Sequence, residues 1–330
     1  MNRIARAGAT VAVLALAVSS LTACNRDTAA AANGGAAGKT NAVMVMSTLN
    51  NPFFVTVANG AKAEAKTLGM HLSVLNANNS DQGSLDLTAS AITQKPDVLI
   101  IDPVGAESGG SMVLAANDAN IPVMGFDRAP SAGKLANFIG YNAIDAGKRA
   151  ADSLAESIGK SGTVVEIQGI LGTNVAQDRS KGFEQAIAAY PAIKVVATQA
   201  ADFDRGKALN VMSDILQANP KIDGVYAAND EMAMGVIAAL DAAGKAGKVK
   251  VVGNDAIGDA LTAIEAGTMY STHAESAYAL GQEVMRMAAK VAKGQKVPAD
   301  VKLNGKIVTK ATHDEYCAYL VKLGDTKSCA

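Results

Sequence analysis

Residues 42–54 read AVMVMSTLNNPFF: five apolar residues, a mainly polar turn, then a proline and two phenylalanines in a chain whose aromatic content is only 4%. The apolar run has the length of a buried strand. Asn51-Pro52 is a helix-start signal, an amide cap followed by proline at the first helical position. Residues 53–67 then continue with a period near 3.6. The same unit recurs along the chain. Short apolar runs at 72–75, 98–101, 122–125, 164–167, 195–197, 225–227, 249–252 and 272–274 alternate with helical patterns such as 143–158, 182–190, 207–217 and 232–243. Alternation of this regularity predicts an α/β chain with parallel sheets flanked by helices on both faces.

The residues that follow the strands are polar. Ser47 and Asn51 follow the first, Asp102 the third, Asp127-Arg128 the fourth, and Asn229-Asp230, Asn254-Asp255 and Glu275 follow later ones. Each, taken alone, reads best as a helix cap. Together they sit where parallel sheets bind ligands, outside the carboxyl ends of the strands. Carboxylates, amides and a guanidinium suit a polyhydroxy ligand, because they supply acceptors, mixed partners and a donor fork.

At 330 residues and 49% hydrophobic, the chain has room for two domains with buried cores. A net charge of -1, from 30 basic and 31 acidic residues without blocks, argues against nucleic acid as a partner. Residues 1–24 read as an export signal, with Arg3 and Arg6 before an apolar stretch at 11–18 that is too short to span a membrane. Leu21-Thr22-Ala23-Cys24 resembles a bacterial lipobox, which makes Cys24 the lipidated first residue of the mature chain. The alternative is an ordinary cleavage site with a chance cysteine. Residues 25–40, rich in Ala, Gly, Asn and Thr, read as a flexible tether. The remaining cysteines, Cys317 and Cys329, are candidates for a disulfide in an oxidising compartment.

STLNNPFF (47–54) resembles the periplasmic ribose-binding protein family, the type I solute-binding proteins of bacterial ABC sugar importers. The resemblance continues collinearly through VLIIDP (98–103), IPVMGFDR (121–128), VEIQGILGT (165–173), RSKGF (179–183), ADFDR (201–205), LNVM (209–212), NDEMAMG (229–235) and VVGND (251–255). It implies a two-lobed periplasmic-binding-protein fold joined by a three-strand hinge. The first lobe would comprise 41–141 plus 276–303, and the second 142–275 plus 304–330, of which 311–330 extend beyond the family pattern. It also implies clamp-like closure on a sugar and two partners, a membrane permease and a separate ATPase subunit. No cofactor or metal is implied. The protein would be an exported monomer that meets the membrane only through its lipid.

The resemblance carries a ligand set onto this chain: Asn51, Asp127 and Arg128 as hydrogen-bonding groups and Phe53 and Phe54 as stacking rings in the first lobe, with Arg179, Phe203, Asn229 and Asp255 in the second. Two positions depart. Asn254 stands where the ribose binders have an aromatic ring, and Glu275 where they have glutamine at the hinge. Both changes are expected to make the pocket more polar and roomier. The expected ligand is ribose or a related pentose, with a cyclitol such as myo-inositol, a hexose or a linear polyol as the alternative. A role in presenting ligand to a chemoreceptor is compatible with either. Enzyme chemistry finds little support. His71, His273 and His313 lie far apart with no nucleophile or metal-ligand spacing, and both His71 and His313 read as solvated. A sugar-responsive repressor would need an N-terminal DNA-binding segment, whereas this chain opens on an export signal.

Overall fold

The structure is a computed structural model that describes residues 39–330. The expected export signal, Cys24 and all of the tether but its last two residues lie outside the described residues.

The first half of the chain runs β1 (Asn41–Met46), α1 (Pro52–Thr67), β2 (His71–Asn76), α2 (Asp81–Thr93), β3 (Val98–Asp102), α3 (Ala106–Asp118), β4 (Val123–Phe126) and β5 (Asn137–Tyr141). Then come α4 (Ala143–Ser157), β6 (Gly162–Gln168), α5 (Asn174–Ile187), β7 (Ile193–Ala200), α6 (Arg205–Ala218), β8 (Gly224–Ala227), α7 (Asp230–Ala242), β9 (Lys250–Asp255), α8 (Gly258–Ala266) and β10 (Ser271–Ala274). The chain ends with α9 (Ala277–Val291), β11 (Asp300–Leu303), β12 (Lys306–Thr309) and α10 (His313–Leu323).

These strands form two six-stranded sheets of matching order, β11-β5-β4-β3-β1-β2 and β12-β10-β9-β8-β6-β7. All pairings are parallel except β10 with β12. The inner strands β1 and β3 are wholly or almost wholly buried, as strands covered by helices on both faces must be. The chain crosses between the sheets three times: after β5, between β10 and α9, and between β11 and β12.

Strands β5, β11 and β12 were not among the expected runs. The helical pattern expected at 182–190 starts eight residues earlier, at Asn174, and ends at Ile187. Its first turns bury Val175 and Ala176 but also Arg179 and Ser180, so half of the inner face there is polar.

Helix α5 is held close to α4 by glycine on both sides. A Cβ at Gly147 would stand 2.0 Å from the carbonyl oxygen of Arg179, and one at Gly182 would stand 2.1 Å from that of Ile144. Contact of this kind requires glycine. It fixes the depth at which α5 presents Arg179.

Residues beyond the family pattern are ordered on the second sheet. Tyr316 and Leu320 of α10 are buried against Ala256, Leu261, Ala274 and Val308. Cys317 and Cys329 form a disulfide with a Cα separation of 5.7 Å. His313 caps this arrangement half-buried rather than solvated, with Nε2 3.6 Å from Cys317 Sγ, whereas His71 is exposed at the start of β2. With the two cysteines at a sequence separation of 12, replacing both by serine is expected to lower the unfolding free energy by about 3 kcal/mol. Denaturant titration of the double variant against the oxidised protein checks this.

Candidate functional site

Residues from the carboxyl ends of both sheets enclose one cavity. Asn51 caps α1: its Oδ1 accepts from Phe53 N at 2.8 Å, and Pro52 follows at the first helical position. Its amide nitrogen has no partner among the described residues. Asn229 likewise caps α7, accepting from Met232 N at 3.0 Å. Both residues are therefore caps, and both line the cavity.

Phe53 and Phe54 are buried and meet edge to face, with centroids 5.3 Å apart. Phe203 faces them from the turn between β7 and α6 with φ 58°, a left-handed backbone uncommon for a bulky residue. Its ring occupies the space over Gly169, where a Cβ would stand 2.1 Å from Cζ. Asp127 (φ 56°) and Asp255 (φ 122°) are also strained. Backbone of this kind persists only where the surroundings over-determine it, and it collects at ligand sites.

Arg128 lies between the rings, with its guanidinium carbon 5.3 Å from the Phe54 centroid and 5.7 Å from that of Phe203. Its bonds are long: Nη1 donates to the carbonyls of Pro103 and Val104 at 3.4 Å each. Nε is 3.9 Å from Asp102 and 4.0 Å from Asp127. The cavity has a volume of about 20 Å³, just enough for one water molecule. Outside it, sharing Asn51, Phe54, Arg128 and Phe203 as walls, is a vestibule of about 430 Å³ between the sheets. The cleft is closed, and Asn174 Oδ1 at the start of α5 accepts across it from Ala129 N at 2.8 Å.

Opposite Arg128 sits Arg179, 4% exposed. Its Nη2 donates to Glu275 Oε2 at 2.9 Å and approaches Asp255 Oδ1 at 3.5 Å, while Nη1 donates to the carbonyl of Ala228 at 2.7 Å. Burial lowers the Arg179 pKa, but Glu275 and Asp255 outweigh it and keep the group charged. Burial also raises the Glu275 carboxyl; Arg179 and the neighbouring His273 reverse this and hold it below its ordinary value. Asp255 goes the other way: burial pushes it well up, and repulsion from Asp230 and Glu275 adds to the rise that Arg179 opposes. The closer pair, Arg179 with Glu275, takes the ionic role.

All expected ligand residues line the cavity except Asn254 and Glu275. The expected polar widening at these two positions is not what their geometry provides. Asn254 is fully buried; its Nδ2 donates to Asp255 Oδ1 at 3.0 Å and its Oδ1 meets His273 Nδ1 at 3.1 Å. Glu275 pairs with Arg179 from behind. The sequence reading omitted Val175, which lines the cavity, and carried no signal for it. Asp102 was legible as a strand-end carboxylate; fully buried, it accepts from the Ser47 hydroxyl and backbone and supports the Arg128 side. Among the described residues, no group of three His, Cys, Asp or Glu side chains is placed to hold a metal ion.

A sequence family described as a periplasmic binding protein domain matches residues 42–296. The chain belongs to that family and has its two-lobed type I fold. Within it, the chain is 40% identical over 281 residues to the ribose import binding protein of Escherichia coli, covering 85% of this chain and 94% of that one. It is a ribose-binding-protein-like solute-binding protein and not an enzyme. Solved structures that resemble it include a solute-binding protein of Actinobacillus succinogenes with bound D-allose. That structure has a TM-score of 0.80 and 32% identity, covering 84% of this chain and 100% of that chain. Another, from Bacillus halodurans with bound myo-inositol, has a TM-score of 0.81 and 29% identity, covering 86% of this chain and 99% of that chain.

Two expectations follow from the charges. Arg179→Ala leaves Glu275 buried without its partner and should destabilise the unliganded protein by roughly 3–5 kcal/mol, read by denaturant titration. Burial, with repulsion from Asp102, pushes Asp127 up to about 7 from its ordinary 3.8, and burial does the same to Asp230. A carboxyl raised in the folded state stabilises fully below its unfolded pKa and loses that contribution as pH rises through the folded value. Stability from these groups therefore declines between about pH 4 and 7. Asp127→Asn should flatten the dependence of the melting temperature over that window.

Proposed function

We propose that the protein is the sugar-binding component of an ABC importer and holds ribose or a related pentose in the cleft between its lobes. The observation that carries this reading is the slot between Phe54 and Phe203, occupied by the loosely held guanidinium of Arg128. A furanose or pyranose has apolar C–H faces that pack on aromatic rings, and a rim of hydroxyls that needs charged and amide partners. Asn51, Phe53 and Asp127 meet the ring from the first lobe; Arg179, Asn229 and Asp255 meet it from the second. Arg128 turns from the slot onto the ligand's hydroxyls, because its 3.4 Å bonds to Pro103 and Val104 hold it weakly.

Ligand that touches both lobes favours the closed form by the difference in its affinity for the two forms. The bond from Ala129 to Asn174 is one closed-state contact that adds to this bias. The closed protein docks on a membrane permease served by a separate ATPase subunit. Export, anchoring through Cys24 and monomeric action in the periplasm complete the reading, and a role at a chemoreceptor is compatible with it.

A second reading is a cyclitol such as myo-inositol, a hexose or a polyol. It is favoured by the myo-inositol bound in one structural relative.

Thermal shift and calorimetry of the mature chain with D-ribose, D-arabinose, D-allose, xylitol and myo-inositol test both. A ligand at 100 times its Kd should stabilise by about 2.7 kcal/mol. Strongest binding by ribose or arabinose supports the first reading and by myo-inositol, allose or xylitol the second; no response to any of the five overturns both.

A further inference from the structure

Behind the cavity five polar side chains close a ring. Arg179 donates to Glu275 at 2.9 Å, and Glu275 Oε1 stands 3.7 Å from His273 Nδ1. That same nitrogen meets Asn254 Oδ1 at 3.1 Å; Asn254 Nδ2 donates to Asp255 Oδ1 at 3.0 Å; and Asp255 Oδ1 returns to Arg179 at 3.5 Å. His273 and Asn254 are register neighbours on the adjacent parallel strands β10 and β9, so their side chains share a face. The five side chains are almost completely buried, where a donor or acceptor without a partner is costly; Arg179 Nε, Glu275 Oε1 and His273 Nε2 have none among the described residues.

The direction of the chain follows from its members. Asn254 turns its nitrogen to a carboxyl oxygen, so its carbonyl oxygen faces His273 and requires a donor there. The proton of His273 is therefore on Nδ1. Nε2 has no partner among the described residues and lies against the crossover at Gly305, where a Cβ would stand 2.7 Å from it. A protonated Nε2 would be a buried donor with nothing to meet.

We propose that His273 is a positioning residue of the ligand site: its Nδ1–H fixes the amide of Asn254, which holds Asp255 Oδ1 and leaves the other carboxyl oxygen of Asp255 for the ligand. This rests on the sugar-binding reading. It assigns discrimination at the second-lobe wall to the orientation of one carboxyl group rather than to an added ligand contact from Asn254. Without the imidazole, the Asn254 oxygen is unsatisfied and the amide is free to invert, which presents an oxygen to the Asp255 carboxyl.

Calorimetric Kd values for D-ribose and myo-inositol on the wild type, His273→Leu and His273→Asn test it. His273→Leu is expected to weaken the tighter probe about tenfold and to change the ratio of the two Kd values. His273→Asn, whose amide nitrogen falls near the place of Nδ1, is expected to restore most of both. Wild-type affinities and ratio in His273→Leu, or no recovery in His273→Asn, overturn the proposal. Should His273→Leu fail to fold, ring ¹⁵N shifts of wild-type His273 decide: a protonated Nδ1 with bare Nε2 supports the chain, and the opposite tautomer overturns it. Failure of the wild type to bind either probe strikes the sugar reading instead, and the tautomer still judges the ring.

Discussion

The buried guanidinium of Arg179 is the constraint on which the second half of the molecule is arranged. A charge that is 4% exposed must be paired and hydrogen-bonded or it destabilises the fold by several kcal/mol. Its partners come from three other places in the chain: the carbonyl of Ala228 after β8, Asp255 at the end of β9 and Glu275 at the crossover after β10. Satisfying one side chain thus sets the relative positions of three strand ends. The donor itself is placed by α5, which reaches its depth only because Gly147 and Gly182 let two helix backbones touch. Packing, electrostatics and the crossover are one problem here, and glycine is part of its solution.

The first lobe solves a matching problem with looser means. Arg128 is as buried as Arg179, yet none of its contacts is short, and its counter-charges stand near 4 Å. Two aromatic faces supply what carboxylates supply elsewhere, through attraction of the cation to the ring faces. Arg179 is fixed by directional bonds; Arg128 is held by surfaces that a flat ligand can also use. This contrast is why Arg128, and not Arg179, is the group proposed to turn onto the ligand.

Much of this was legible in the sequence because strand and cap signals are local. Asn51-Pro52 capped the helix it was expected to cap, and of the polar residues after the strands Asn51, Asp127, Arg128, Asn229 and Asp255 line one cavity. What was missed fails for identifiable reasons. Strand β11 alternates exposed and half-buried residues at a sheet edge, and four-residue β12 buries only Val308, so neither shows a buried run. The helical pattern was expected only from 182 because Arg179 and Ser180 occupy the inner face of the first turns of α5, and an apolar period vanishes where a helix faces a polar site. The partner of His273 was not legible because it is Asn254, 19 residues away and one strand across.

That last case changes how the departures from the ribose-binding pattern are understood. Residue by residue, an amide for a ring and a carboxylate for an amide suggest a more polar pocket. In three dimensions the new polar groups answer one another: Glu275 neutralises Arg179, and His273 and Asp255 take both ends of the Asn254 amide. Asn254, with both ends of its amide bonded, has little capacity left for a ligand, while Glu275 has one oxygen on Arg179 and the other without a partner among the described residues. The wall they form is consequently rigid rather than adhesive. On the proposed reading, such a wall selects among ligands through the single Asp255 oxygen it leaves open, and a sugar or polyol with a hydroxyl elsewhere on the ring loses that contact outright.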